Sequence, residues 1–330
     1  MKDTLTELME IIKRLPEKGV EELLVKAQKI KEKEEKKAEK EPPKCPHCEE
    51  GKVVKNGKGH GKQTYLCRGC AKSFVRTTKT AMENSHYGEG VWKQVIRDTL
   101  NGVALDTTAE NLQMHHETAF NMRHKILYSM EMELLRNPPE LTGISEADET
   151  YILECYKGKK FAEDFHRKPR KHGAVASKPG ISDEYICIAA GVEREGKALA
   201  VATCRSQPTK EDISRVFGSV IADGSVIICD GAKSYGVLEQ NGKCAVLHIA
   251  EGGEGFKKIN NANAFHSFIK ERYRDARGFA TKYLGRYSSL FSVAFRKSAH
   301  IVDDIYKNLT DMSNCFVSID NSQSQNLFAP

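Results

Sequence analysis

The stretch ISEADETYILE, residues 144–154, determines the fold and the chemistry that the sequence predicts. Its apolar residues indicate a buried strand, and Asp148 lies within it. A second apolar stretch, VIIC at 226–229, is followed at once by Asp230. A carboxylate on a buried strand is costly unless a proton, a partner or a metal neutralises it, so two such carboxylates brought together would recruit a divalent cation. Either aspartate taken alone could instead shape a turn.

Hard carboxylate ligands favour Mg²⁺ or Mn²⁺. Such ions, paired about 3.5–4 Å apart, can activate water or a 3′-hydroxyl for attack on a phosphodiester. A helix predicted over about 262–273 adds further candidates, because Asn263, His266 and Lys270 share one of its faces. Asn263 could offer an oxygen to a metal and Lys270 could contact a phosphate, whereas His266 could act beside them or simply be an interior histidine.

Composition restricts the class of protein. The chain has 330 residues, of which 39% are hydrophobic and 29% are charged, which is enough apolar material for a core and too much charge for a membrane protein. The longest apolar run, near 185–192, is far shorter than the roughly 20 residues of a membrane span. The N-terminus has no continuous apolar stretch of the secretory type, and we therefore expect a cytoplasmic protein.

Two cysteine pairs predict a zinc ribbon over residues 45–76. Cys45 and Cys48 are separated from Cys67 and Cys70 by 18 residues, a spacing typical of four-thiolate Zn²⁺ sites. His47 and His60 are not needed as ligands when four thiolates are present. Lysines and arginines surround the pairs, which favours contact with nucleic acid over a purely structural ribbon.

Helical periodicity follows the ribbon and ends near the prolines at 138 and 139. The pattern predicts a helix, then a short helix, a turn and a last helix with a polar face over about 115–127. This is the order of a helix-turn-helix module, which we assign to residues 77–139. Arg123 and Lys125 of the last helix are predicted to contact DNA. A plain three-helix bundle would show similar periodicity and remains the alternative.

A basic loop separates the strand predicted at 144–154 from the next predicted strand. Residues 157–172 contain seven lysines and arginines against two acidic residues, a density suited to gripping a DNA backbone, although a solvated loop would look similar. The predicted DNA contacts here are Lys159, Lys160, Arg167, Lys168, Arg170 and Lys171.

Four blocks together resemble a known family: DETYILECYKGK at 148–159, DGAKSY at 230–235, NNANAFHSFIK at 260–270 and RGFATKYLGRY at 277–287. They are similar to the signature blocks of bacterial insertion-sequence transposases of the ISXO-like group. The resemblance extends from the ribbon to about residue 295.

The resemblance implies an α/β, RNase H-like mixed sheet with flanking helices over residues 140–310, and a metal-dependent enzyme that cuts transposon ends and joins the 3′-hydroxyl to target DNA. Asp148 and Asp230 match the first two acidic positions. Asn263 stands where many relatives have a third carboxylate, and Lys270 follows it. With only two carboxylates in the matched positions, a DNA-binding regulator or an inactive, domesticated relative is the alternative.

The remaining expectations concern organisation and partners. Residues 1–44 are predicted to be a helical segment with a charged linker, and residues 311–330 a tail. We also expect Zn²⁺ in the ribbon and Mg²⁺ or Mn²⁺ at the catalytic site. The expected partner is double-stranded DNA, on which the chain would form a homo-oligomer. The expected location is the bacterial nucleoid.

Overall fold

A computed structural model of the chain describes residues 42–310, apart from 50, 51, 60, 159–174, 195, 231, 241, 243, 250–258 and 297, together with positions 19, 22 and 26. The helical segment and linker predicted over residues 1–44 and the tail at 311–330 fall almost entirely outside the described residues. The chain divides into two compact units after Thr78.

The first unit is a small antiparallel sheet of three strands, in the order β1-β2-β3. The strands are β1 (Val53–Gly59), β2 (Lys62–Cys67) and β3 (Ser73–Val75). Its buried core consists of Cys45, Tyr65, Cys67 and Phe74, with the rings of Tyr65 and Phe74 stacked at 5.7 Å. The apolar core of the described part of this unit is small, and in small domains a bound metal can replace part of the core.

The second unit begins with a bundle of helices. These are α1 (Glu89–Asn101), α2 (Leu105–Asn111) and α3 (His116–Arg136), and they are joined later by α8 (Ile301–Thr310). Trp92, Ile96 and Ile126 form part of the bundle's core, and Ile305 and Leu309 of α8 are buried in the same core. The helices predicted as a separate domain therefore share their core with the end of the predicted catalytic domain, so these two segments are not structurally separate.

The remainder of the second unit is built on a five-stranded mixed sheet in the order β6-β5-β4-β7-β8. Its strands are β4 (Ile144–Leu153), β5 (Tyr185–Glu193), β6 (Ala198–Arg205), β7 (Ser225–Cys229) and β8 (Cys244–His248). Strand β5 runs antiparallel to β4 and to β6, whereas β7 and β8 run parallel to β4. This order, with only the second strand reversed, is the RNase H-like sheet that the resemblance implied.

Helices cover both faces of this sheet. On one face lie α4 (Lys210–Phe217) and α5 (Gly236–Gln240); on the other lie α6 (Asn260–Asp275) and α7 (Leu284–Phe295). Phe217 lies directly on β5, where a Cβ at Gly191 would approach its ring to 2.7 Å. A glycine is therefore required at that position for the helix to pack so closely.

The strands predicted at 144–154 and 226–229 agree with β4 and β7 to within one residue. Helices α7 and α8 are separated by residues 296–300. Helix α4 was not predicted, although Thr209 and Asp212 form a reciprocal capping box at its start. That Thr-x-x-Asp pattern is readable in the sequence and was overlooked. Among the described helices, none combines the length and the apolar character that a membrane span requires.

Candidate catalytic site

The parallel pairing of β4 with β7 brings the two predicted aspartates side by side. The last paired residues are Ala147 and Cys229, so Asp148 and Asp230 come next on adjacent strands. Adjacent strands lie about 4.8 Å apart. One carboxylate oxygen from each of Asp148, Glu149 and Asp230 lies within 4.8 Å of the others. The two aspartates are thus close enough to share one ion.

This cluster is electrostatically unfavourable without a cation. Burial, followed by the charge of Asp230, raises the pKa of Asp148 to about 6, although the backbone N–H of Glu149 and the charge of Lys270 act against the shift. Burial and the charge of Asp148 raise the pKa of Glu149 to about 7. Oxygen-only ligands in a half-buried cluster that resists ionisation suit a hard divalent cation such as Mg²⁺ or Mn²⁺.

Glu149 is a member of the cluster that sequence reasoning missed. In a regular strand its side chain leaves the face opposite to that of Asp148, so the alternation pattern assigned it no role beside its neighbour. It nevertheless reaches the cluster, where β7 has already ended and no longer covers β4. Its Oε1 atom is buried and has no hydrogen-bond partner among the described residues. The adjacent acidic pair in the sequence was the available signal.

Helix α6, which carries the remaining predicted residues, brings His266 to the site. Phe265 and Ile269 are fully buried against the sheet, as predicted, while His266 is 7% exposed. The Nδ1 atom of His266 lies 3.6 Å from Oδ2 of Asp148. Burial and the charge of Lys270 lower the pKa of His266 to about 4, so the ring is neutral at neutral pH.

Two polar atoms of this helix have no hydrogen-bond partner among the described residues. They are Nε2 of His266 and Nδ2 of Asn263, and both are buried. A buried polar atom without a partner is unusual in a folded protein and often marks a ligand site. Lys270, one turn further along, is exposed, and its positive charge acts on both Asp148 and His266.

The four predicted zinc ligands converge in the first unit. The Sγ atoms of Cys45 and Cys70 are 3.6 Å apart, those of Cys48 and Cys67 are 3.7 Å apart, and all four lie within 4.8 Å of one another. Four thiolates around a tetrahedral ion with Zn–S bonds of 2.3 Å would be about 3.8 Å apart. The geometry fits a zinc ion. The ring of His47 packs edge-on against Phe74, consistent with the expectation that it is not a ligand.

The structure changes the interpretation of α3. The predicted polar face was expected to be exposed, but His124 is 1% exposed and Arg123 is directed inward, donating hydrogen bonds to the carbonyl of Val103 at 2.8 Å and to Oγ1 of Thr108 at 3.3 Å. Burial, followed by the charge of Arg286, lowers the pKa of His124 to about 3. Both residues are covered because α3 packs against α7, which lies far along the chain.

Lys125 is half-buried in the same helix. The predicted DNA contacts of the basic loop lie outside the described residues: Lys159, Lys160, Arg167, Lys168, Arg170 and Lys171.

The RNase H-like sheet thus brings three carboxylates together where the pairing of its central strands ends. Residues 140–297 match the ISXO2-like transposase domain. This part of the chain is therefore similar to the ISXO2-like transposase domain, in agreement with the resemblance seen in the sequence.

The individual proteins and solved structures that resemble this chain share only low sequence identity with it. An uncharacterized protein in the transposable element ISH50 of Halobacterium salinarum is 25% identical over 261 residues, which cover 77% of this chain and 86% of that protein. The Mos1 strand transfer complex shares 13% identity over 71% of this chain and 80% of its own, with a TM-score of 0.28. The intasome of simian T-cell lymphotropic virus shares 10% identity over 61% and 68%, also with a TM-score of 0.28. The fold assignment rests on the strand order of this chain and not on these low scores.

Proposed function

We propose that this protein is a transposase that binds the ends of an insertion sequence, cleaves phosphodiester bonds there and joins the freed 3′-hydroxyl to target DNA, with divalent metal as cofactor. The observation that carries the proposal is the convergence of Asp148, Glu149 and Asp230, whose oxygens lie within 4.8 Å of one another inside the transposase domain.

Asp148 and Asp230 would hold Mg²⁺ or Mn²⁺, with Glu149 as a third anionic ligand and Asn263 as a neutral one. An ion bound by this set supplies Lewis-acid stabilisation of phosphate oxygens and lowers the pKa of an attacking water or hydroxyl. Glu149 restores the negative charge that Asn263 removes from the positions matched to the family. The cluster therefore supports the enzymatic function over a regulator that has lost its chemistry.

The chain's own residues would orient the substrate around this cluster. Lys270 is exposed on the face of α6 that carries His266, so its ammonium group can contact a phosphate oxygen entering the site. Neutral His266 lies against Asp148 and would orient that carboxylate. Because the ring carries no positive charge, it would not compete with the metal ion for the carboxylate. The rigid placement of these groups is the protein's contribution to the rate.

DNA is the proposed partner of both units. In the ribbon every described lysine and arginine from Lys52 to Arg76 is exposed, and the guanidinium of Arg76 lies 5.7 Å from the ring centre of Tyr65. Exposed cations of this density would bind the phosphate backbone and release counterions. Zn²⁺ held by Cys45, Cys48, Cys67 and Cys70 would stabilise the ribbon.

The assembly and location follow from this function and remain proposals. Cutting and joining two ends requires both to be held together, which favours a homo-oligomer on DNA. The reaction would take place at the bacterial nucleoid.

The test uses the full, zinc-loaded chain with labelled duplexes containing the ends of the element, a target plasmid, and Mg²⁺ or Mn²⁺. We expect cut ends and products joined to the plasmid, both abolished when the divalent ion is omitted. Binding without cutting would identify a regulator. Cutting without joining would identify a nuclease, and either result would contradict the proposal.

A further inference from the structure

Glu146 is a buried carboxylate on the catalytic strand that the chemistry described above does not use. It lies two residues before Asp148 on β4 and is 1% exposed. Because side chains alternate along a strand, Glu146 and Asp148 leave the same face of the sheet. This is the face covered by α6.

The carboxylate of Glu146 caps the beginning of α6. Its Oε2 accepts hydrogen bonds from the backbone N–H groups of Asn261 at 2.7 Å and of Ala262 at 3.2 Å, and its Oε1 accepts from Nδ2 of Asn261 at 2.9 Å. The first N–H groups of a helix have no partner within the helix. The residue at the ordinary capping position, Ile259, has no side-chain oxygen to offer. A negative charge here also interacts favourably with the positive end of the helix dipole.

Two arginines complete this anchor. Nε of Arg194 lies 3.1 Å from Oε1 of Glu146, so the carboxylate is paired as well as hydrogen-bonded. Nη2 of Arg296, from the end of α7, donates to Oδ1 of Asn261 at 3.0 Å. The start of α6 is therefore bound to β4 on one side and to α7 on the other.

We infer that Glu146 is a positioning residue, which fixes α6 so that Asn263 and His266 face the carboxylates of Asp148 and Asp230. Asn263 lies one residue beyond the capped N–H groups, and His266 one turn further. A movement of the anchor would be transmitted directly to both, and displacements near 1 Å can cost about a hundredfold in rate. The inference rests on the proposed function for its catalytic consequence, but not for its effect on metal binding.

The matched pair of variants is Glu146→Gln and Glu154→Gln. Glutamine at 146 keeps the volume, but loses the charge and presents an NH₂ group to the donors of Arg194 and Asn261. Glu154 is a buried glutamate just beyond the other end of β4; it is 4% exposed and accepts hydrogen bonds from Arg205 at 2.6 Å and from the hydroxyl of Tyr156 at 2.6 Å. Both substitutions therefore disturb a buried ion pair, and Glu146→Gln alone alters the cap of the catalytic helix.

The measurements are the Mn²⁺ affinity of zinc-loaded protein by calorimetry without DNA, the Mn²⁺ dependence of single-turnover cleavage, and thermal unfolding. For Glu146→Gln we expect at least a fivefold loss of Mn²⁺ affinity, at least a tenfold fall in the cleavage rate and end binding within twofold of the unsubstituted chain. Glu154→Gln should lower the unfolding temperature by a similar amount and leave Mn²⁺ affinity within twofold.

Equal Mn²⁺ affinities for the two variants would overturn the inference, whatever their stabilities. If the unsubstituted chain does not cleave DNA, the proposed function fails, and the calorimetry still decides the role of Glu146. Should Glu146→Gln not fold, Asn261→Ala removes part of the same anchor and leaves the buried charge paired. A two- to fivefold loss of Mn²⁺ affinity in Asn261→Ala would then support the inference, and an unchanged affinity would overturn it.

Discussion

Replacing Asp148 by asparagine is expected to stabilise the second unit of the metal-free protein at neutral pH. Burial and the charge of Asp230 raise the pKa of Asp148 from 3.8 to about 6, which means that the ionised carboxylate is disfavoured in the folded state. Asparagine has almost the same shape and carries no charge. Its Oδ1 can still accept the hydrogen bond that the N–H of Glu149 donates at 2.9 Å.

The size of the effect follows from the pKa. Each tenfold change in proton affinity corresponds to 1.36 kcal/mol, so a rise from 3.8 to about 6 amounts to about 3 kcal/mol. The side chain of Asp148 is 16% exposed, and solvent screens it little. Because the folded pKa is raised, the contribution of Asp148 to stability is present below the unfolded pKa and lost as the pH rises through about 6. The variant and the unsubstituted chain should therefore converge toward acid pH and diverge by pH 7.5.

The assay uses the fluorescence of Trp92. It is the chain's only tryptophan and is 1% exposed in the core of the second unit, so its signal reports the unfolding of that unit and not of the ribbon. Buffers are freed of divalent ions by a resin, without a chelator, to keep zinc on the ribbon. A difference of about 3 kcal/mol corresponds to about 6–12 °C in unfolding temperature for a unit of this size. Added Mn²⁺ should stabilise the unsubstituted chain more than the variant, because a ligand stabilises the state that binds it.

An Asp148→Asn variant that is equally or less stable than the unsubstituted chain at pH 7.5 without metal would show that the cluster is not strained by its own charge. The control is Asp223→Asn, which removes the carboxylate of an exposed aspartate outside the cluster and should not reproduce the stabilisation.

Three further outcomes are expected. Asp230→Asn should abolish cleavage and leave binding of the ends within about twofold in a mobility-shift assay, because it removes a metal ligand and not a DNA contact; a parallel loss of binding would show that the residue is structural. Cys45→Ser combined with Cys48→Ser should remove zinc, measured by atomic absorption, and weaken end binding; an unchanged zinc content would contradict the ligand assignment. Leu309→Ala should cost about 2–5 kcal/mol in unfolding followed by Trp92, because the side chain is fully buried in the core shared with α1 and α3; a cost under 1 kcal/mol would show that α8 contributes little to the bundle.

Helix α6 is hydrogen-bonded both to the helical bundle and to the catalytic sheet. At its far end, Arg272 donates hydrogen bonds to the carbonyls of Asn101 and of Leu100, the latter at 3.5 Å, where α1 ends. The helix that carries His266 and Lys270 is thus held at one end by β4 and at the other by the bundle.

The sequence alone was sufficient for the features that depend on local pattern. Apolar runs predicted the strands, the cysteine spacing predicted four converging thiolates, and helical periodicity placed Asn263, His266 and Lys270 on one face of α6. The position of Asp230 immediately after a buried strand indicated a carboxylate at a strand end. These features follow from the periods of strands and helices and from the short reach of a metal ligand.

Tertiary structure decided what depends on contacts between distant segments. Alternation along β4 would send Glu149 to the opposite face, but in the folded chain one of its oxygens lies within 4.8 Å of those of Asp148 and Asp230. Arg123 and His124 looked like surface residues because α3 is polar there, but the packing of α3 on α7 buries them. Glu146 acquires its partners from Asn261 and Arg194, which lie 115 and 48 residues further along the chain. No local pattern specifies such pairings, because burial and hydrogen bonding of these side chains are set by which segments the folded chain places against one another.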